Sequence, residues 1–541
     1  MTQFSSRRHS RRRFIALGAS ACAAGFLVAC MGGTSTNGLE MKGRPKIGKR
    51  PPPGVLRLGR VAGANTPPTP NAAGASNFID ADDILLAYAR LVGVDPRGPA
   101  VYHDAAESVE QPAPQLVRFT LREGQQYHRD AAGVVQPISS DSVRNDFLRR
   151  ASEGNTLFTE VVDRIDRPDS RTVVLHLKAP FGLLFELLAT PSASLRGDGM
   201  YAGSSDRVGS GTWVPSKGDR ATMQFAANPA LSGDLRPLLS RVEVRTAGAA
   251  DELDAAFSRG EIDLRLRSQP PGQTPGVTEQ KRPARRMRGL GLSLIGQKNG
   301  ATVRSIAAFQ DARVRRAVAM SLDRDAILAL DGSYTSGPVG PAHAGDALSD
   351  GDLRAHPIYR HDADEARKLL TAAGANGLQF RIALPDLPVM QQLGQIVAAN
   401  LQDAGFQPRL QAVPFDGWQR SFLAGDFEST LFEIGALDTP DIGLRLHTTE
   451  GIAGKFSLWG YSNPAYDVAV RAALSAFDPK VRAEQSRAAQ RLLLDDGPAM
   501  LPLGATPEFA SIAPGISGYD FNAYDMNVGY LSTGWIAPQR A

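Results

Sequence analysis

Near residue 300 the apolar pattern of this chain changes kind, and that change limits what it can fold into. Before it, period-two stretches dominate. In Leu116–Leu121, Val117, Phe119 and Leu121 share one face while Arg118 and Thr120 take the other, which predicts a half-buried strand. Val173, Leu175 and Leu177 repeat the pattern after the turn residues Pro168, Asp169 and Ser170. Further strands are expected at 55–58, 222–225, 242–245 and 290–294. Helices are expected over 83–92 and over 249–259, the second stopped by Gly260. Beyond residue 300, helices fit 311–330, 362–373, 390–404, 464–474 and 479–494, and strands fit 380–384, 407–410 and 427–434. That alternation argues for an α/β lobe with a parallel or mixed sheet. The stretches 501–503 and 509–512 read as two strand pieces that return to the first lobe. No repeat of 20–50 residues is visible, which removes solenoids and propellers.

The first thirty residues read as an export signal. Ser10, Arg11, Arg12, Arg13 and Phe14 make a basic start, Ile15 to Ala29 are small or apolar, and Leu27, Val28 and Ala29 lead into Cys30. The apolar run is shorter than the roughly 20 residues of a bilayer span. The run into Cys30 resembles a bacterial lipoprotein box, and the paired arginines resemble a twin-arginine signal. Cys30 is therefore the expected lipidation site, which implies anchorage on the periplasmic or cell-surface side of a bacterial membrane. Cys22 lies inside the signal, so no disulfide is expected in the mature chain. Residues 31–54, rich in Gly, Ser, Thr, Asn, Lys and Pro, read as a flexible tether. The rest is too long for one core at about 100–200 residues per domain. It divides into a first lobe with an additional subdomain (55–295), a second lobe (296–505) and a return to the first (506–541), with the first crossing just after Leu294.

The formal charge of +4 is carried largely by five arginines of the export segment. The nearly neutral body argues against nucleic-acid binding. Lys281, Arg282, Arg285 and Arg286 read as solvated loop charge. Hydrolase chemistry finds little support: there is no Gly-x-Ser-x-Gly elbow, no Gly-x-x-x-x-Gly-Lys-Ser/Thr loop and no His-Glu-x-x-His pair. No spacing selects a pair of carboxylates, and the eight histidines are scattered. No cofactor, catalytic residue or metal site is expected.

Several segments arrive in the order of a known family. Arg122, Gly124, Tyr127 and His128 look like its "R-x-G-x-x-F-H", and Ser139 to Val143 its "T-A-x-D-V" helix start. Val208 to Trp213 resembles "V-G-T-G-P-Y", and Gly260, Glu261, Ile262 and Asp263 match an element after the first-lobe helix. Phe309 to Ala317 with Asp323 and Arg324 is the strongest match, and Tyr461, Ser462, Asn463 and Pro464 complete it. The chain thus resembles the family 5 extracellular solute-binding proteins of ATP-binding cassette (ABC) importers, the dipeptide, oligopeptide and nickel type. The resemblance implies a periplasmic-binding-protein-like α/β fold, a two-lobe Venus flytrap of type II and cluster C-like form. It implies a monomer without enzymatic activity that closes on a solute and delivers it to permease subunits in the membrane.

Physical reading of those segments adds detail. Asp311 can cap a helix whose stripe is Val314, Ala317, Val318 and Leu322, and Asn463 can cap one that starts at Pro464. One of Arg315 and Arg316 is expected to form an ion pair within the lobe. Asp438, in Gly435–Ala436–Leu437–Asp438, follows a strand where related peptide binders have "G-W-x-x-D" and set an aspartate against the peptide's amino group. Ala436 replaces that tryptophan. Trp459, Tyr461 and Trp213 are the further ligand-binding candidates, since aromatic faces suit varied solutes. A peptide or peptide-like solute is the expected ligand. Chelated nickel, opines and sugars stay open, as does an exported hydrolase.

Overall fold

The computed structural model describes residues 41–42, 54–61, 86–94, 101–129, 133–197, 208–218, 221–267, 270–272, 274–298, 301–435, 439–450, 458–517, 519 and 539–540. Cys30, the export segment, nearly all of the tether and Asp438 lie outside the described residues.

β1 (Val55–Val61) opens the first lobe. β2 (Ala106–Ala113) and β3 (Leu116–Leu121) pair antiparallel, and in β3 Val117, Phe119 and Leu121 are buried while Arg118 is exposed, as alternation requires. α1 (Ser140–Ser152) is capped by Ser139, and β4 (Val162–Asp166) and β5 (Thr172–Leu177) complete a four-stranded sheet in the order β2-β3-β5-β4. This sheet, α1 and α2 (Leu184–Leu188) enclose their own core around Phe119, Phe147, Leu175 and Phe185. They form the additional subdomain.

The chain then returns past Gly209 and Gly211. A Cβ on Gly209 would stand 2.3 Å from the Ala87 carbonyl oxygen, and one on Gly211 2.9 Å from Tyr88 backbone, so glycine permits the approach. β6 (Trp213–Gly218), β7 (Thr222–Ala227), β8 (Arg241–Ala247), α3 (Ala250–Ser258) and β9 (Leu264–Arg267) follow. They pack the first-lobe core of Leu56, Leu58, Trp213, Phe225, Val242 and Leu264.

β10 (Thr278–Leu292) leads into the second lobe. There α4 (Ala312–Ser321), α5 (Arg324–Ala329), α6 (Ala363–Ala372), β11 (Gln379–Pro385), α7 (Pro388–Asp403), β12 (Gln407–Val413), α8 (Phe415–Ala424), β13 (Ser429–Ile434), α9 (Pro440–Arg445), α10 (Pro464–Ser475) and α11 (Pro479–Asp496) surround the largest core. β14 (Met500–Ile512) closes the series. One ten-stranded sheet runs through both lobes in the order β12-β11-β13-β10-β14-β9-β1-β8-β7-β6. Asp311 accepts from the Arg313 N–H, Asn463 accepts from the Ala465 and Tyr466 N–H groups, and Val314, Ala317, Val318 and Leu322 are buried together. Arg315 is buried and donates to the Phe309, Gln310 and Gly497 carbonyls, with Asp496 at 3.9 Å.

Five expectations are corrected. Among the described residues of 83–92 only 86–87 are helical, and the chain is already extended at Val92–Val94, where it pairs with Val101–His103. The helix expected over 311–330 is two, because Leu322 leaves helical geometry and the Asp323 carboxylate caps α5 through the Ala326 N–H. Lys281, Arg282, Arg285 and Arg286 are on β10, where Arg282 is 6% exposed and pairs with Glu508 at 2.9 Å. The interlobe crossing also lies earlier than Leu294. Residues 278–283 of β10 pair with the first-lobe half of β14, whereas Met287–Leu292 pair with β13 of the second lobe. β14 passes back opposite the same point, so the pieces 501–503 and 509–512 are one strand.

Candidate functional site

The two lobes meet at contacts that α9 makes on the second-lobe side. Thr439 and Pro440 begin α9, and Pro440 suits a first helical turn, which has no use for its missing N–H. Asp441 follows at 2% exposure and accepts the Thr439 hydroxyl at 2.5 Å. Burial pushes its carboxyl up from the usual range, against that hydrogen bond and backbone N–H donors of the first turn. At the other end of α9, Arg445 has Asp441 at 3.7 Å and an ion pair with Glu160 of the subdomain. α9 therefore reaches across to the first lobe.

His447 follows directly. Its ring is fully buried, edge-on to Tyr461 at 6.4 Å and Tyr466 at 6.3 Å between centroids. Neither ring nitrogen has a partner among the described residues, and burial pushes it down to about 3. Tyr461 donates to Asp496 at 2.6 Å and lies under the Arg315 guanidinium. Burial and the Asp496 carboxylate both raise its phenol.

A second contact runs from the subdomain to α10 and α11. The Gly182 N–H donates to the Leu474 carbonyl at 2.7 Å, and Arg482 pairs with Glu186 at 3.2 Å and with Asp346 of its own lobe at 3.1 Å.

The aromatic candidates do not meet at this seam. Trp459 is fully buried, stacked on Phe432 at 5.1 Å and flanked by Phe422 and Phe427. Gly291 makes room for it, since a Cβ there would lie 2.1 Å from the indole. Tyr461 is 1% exposed in the same lobe, and Trp213 is 1% exposed in the first-lobe core. In this structure all three are buried among core side chains. A large aromatic ring satisfies a core as well as a cleft, so residue type alone does not separate the two. Asp438 lies outside the described residues, between Gly435 at the end of β13 and Thr439 at the start of α9.

Sequence reading missed Asp441, Arg445, His447, Glu160, Glu186 and Arg482. One signal was available: Arg482, Ser486 and Gln490 recur every four residues on the buried face of α11, where apolar side chains are expected. Their partner is Asp346, whose carbonyl oxygen accepts from Ser486 and Gln490 at 2.9 and 2.8 Å.

Among the described residues no cluster of His, Cys, Asp and Glu could hold a metal ion, and no helix is long and apolar enough to cross a membrane. A cavity of about 820 Å³ lies within the second lobe alone, between Leu328, Tyr334, Pro341 and Leu348, and none of Trp459, Tyr461 and Trp213 lines it.

Comparison with known proteins bears on the family and the fold. Residues 79–450 match the bacterial extracellular solute-binding proteins, family 5 middle. Protein XP55 of Streptomyces lividans is 26% identical over 425 residues, covering 71% of this chain and 72% of that one. Among solved structures, HbpA2 from Haemophilus parasuis superposes with a TM-score of 0.71 at 16% identity, over 90% of this chain and 100% of that one. The periplasmic binding protein DppA from Helicobacter pylori, in complex with the peptide STSA, gives 0.71 at 17% identity over 90% and 98%. AgaA from A. tumefacien R10, in complex with agropinic acid, gives 0.70 at 17% identity over 90% and 99%.

Proposed function

We propose, for a chain that belongs to the bacterial extracellular solute-binding proteins of family 5, that the solute is a short peptide or a peptide-like cation. The coarser role follows from the family: a non-catalytic, extracytoplasmic solute-binding component that works with an ABC permease. The peptide assignment rests on Asp438. The described residues on either side of it end β13 and begin α9, and α9 reaches the subdomain through Arg445 and Glu160. A carboxylate that a closing cleft desolvates needs an ionic partner, and a ligand ammonium supplies one. That the DppA relative holds the peptide STSA supports the reading. The agropinic acid bound by AgaA favours an opine as the second reading, in which Asp438 has no amino terminus to meet.

Calorimetry with a short peptide and its N-acetylated counterpart tests this. Wild-type protein should prefer the free amine, and Asp438→Asn should weaken binding by roughly 2–5 kcal/mol, the cost of truncating one member of a desolvated charge pair. Equal affinity for both peptides would remove Asp438 from the site. A thermal-shift screen that includes opines, sugars and nickel chelates decides between the readings, because a ligand of the native state raises apparent stability.

A further inference from the structure

The subdomain meets the second lobe at a place that the solute reading does not use. Gly182 stands just before α2, and its N–H donates to the Leu474 carbonyl near the C-terminus of α10 at 2.7 Å. Its own carbonyl accepts from Arg482 Nη1 at 3.4 Å. A Cβ at Gly182 would lie 1.9 Å from the Ala476 carbonyl oxygen, so only glycine allows the two backbones this close. One turn further, the Glu186 carboxylate meets Arg482 at 3.2 Å, and Arg482 Nε donates to Asp346 Oδ1 at 3.1 Å. Leu474 packs against the cores of both the subdomain and the second lobe.

We propose that Gly182 and Glu186 on the subdomain, with Leu474, Ala476 and Arg482 on the second lobe, form a latch that holds the lobes together without solute. The backbone fit and the Leu474 contact supply the attraction. The ion pair supplies registry and little net stability, because burying Glu186 costs nearly what Arg482 returns. The unevenness of the triad makes the latch reversible. Two carboxylates share one guanidinium, Glu186 Oε2 is buried without a partner among the described residues, and burial holds the Glu186 carboxyl above its usual range. On opening, Glu186 regains water while Arg482 keeps Asp346. Entry of a solute then requires release of the latch, so the latched fraction of empty protein lowers the apparent affinity by that fraction. The latch presupposes the two-lobe fold and not the identity of the solute.

Small-angle scattering and amide exchange of solute-free protein test it, with Gly182→Val to block the approach and Glu186→Gln to remove the charge. The wild type should scatter as the compact form. Gly182→Val should increase the radius of gyration and speed exchange in peptides covering 181–188 and 474–482 by about tenfold or more, the sign of local opening. Glu186→Gln should shift both in the same direction by less. Near-UV circular dichroism checks that Gly182→Val folds. If it does not, Arg482→Gln, which keeps the backbone contact, should still speed exchange at 181–188. A folded Gly182→Val with unchanged scattering and exchange would overturn the latch, as would a wild type already extended without solute. Neither readout uses a peptide, so failure here leaves the peptide assignment standing, and failure of the acetylated-peptide comparison leaves the latch standing.

Discussion

Pro283 and Pro507 face each other across β10 and β14, the two strands that carry the chain between the lobes. Neither has an N–H to give, so they form a non-hydrogen-bonded pair, and each ring fixes φ where the chain changes lobes. The register then jumps, and Ala284, Arg285 and Arg286 stand opposite Thr506 alone. Proline inside a central strand is unusual, and here it marks the joint. A Pro283→Thr, Pro507→Val double variant should loosen this point, because it gives backbone freedom back to the unfolded chain at about 0.4–1 kcal/mol per proline. Amide exchange at 284–288 and 505–508 should quicken. Unchanged exchange there would mean that the prolines do not hold the joint.

Beside that joint, Arg282 and Glu508 form a pair with side chains only 7% and 5% exposed. Glu508→Gln takes the buried carboxylate away from Arg282 and should cost roughly 3–5 kcal/mol. Arg286, 3.7 Å from the other Glu508 oxygen, keeps Glu433 at 3.5 Å. Denaturant midpoints should show most of the loss recovered in an Arg282→Met, Glu508→Leu double variant. An unchanged midpoint for Glu508→Gln would show that the pair is not a buried unit.

His447 gives stability a pH dependence with a definite sign. Its folded-state value is near 3, below the roughly 6.5 of an unfolded histidine. The unfolded chain therefore binds a proton that the folded chain refuses, and the contribution is complete above pH 6.5. It is lost as pH falls toward 3, at about 1.4 kcal/mol per unit. Between pH 6.5 and 5 the wild type should lose about 2 kcal/mol more than His447→Leu. Parallel stability curves for the two proteins would contradict the burial of a neutral ring.

Trp459→Ala should destabilise the second lobe by roughly 3–5 kcal/mol, since the indole fills a core and leaves a cavity. Trp459→Phe should cost less and leave solute affinity unchanged. A marked loss of affinity in Trp459→Phe, with normal unfolding, would return this residue to the cleft.

The lipid anchor predicts a mature chain that starts at a modified Cys30. Intact-mass measurement of protein from its native membrane should find the acyl groups there. Two or more chains are needed for stable attachment at about 0.8 kcal/mol per buried CH₂. An unmodified terminus elsewhere would end the assignment.

Helices with a capping carboxylate and an apolar stripe were readable in advance, as Asp311 with Val314, Ala317 and Val318 shows. The joint strand was not. Residues 278–288 contain no apolar alternation, and their charges are matched by Glu508, Glu433 and Asp331, which arrive from distant elements. Likewise, Pro502, Gly504 and Pro507 made one strand look like two. At the site, the seam was invisible because Glu160 and Arg445, or Glu186 and Arg482, are almost 300 residues apart in sequence. Local spacing cannot report such a pair.

The position of β14 in the sheet sets a timetable for synthesis. It lies between β10 and β9, so until it emerges the sheet exists as a four-stranded piece and a five-stranded piece, each with an open edge. More than two hundred residues separate the end of β9 from the start of β14. At ~5–20 residues per second the wait is on the order of ten seconds or more. Unpaired edges of that kind invite other chains to pair with them. Both edges close only when β14, the last long strand, joins the two pieces.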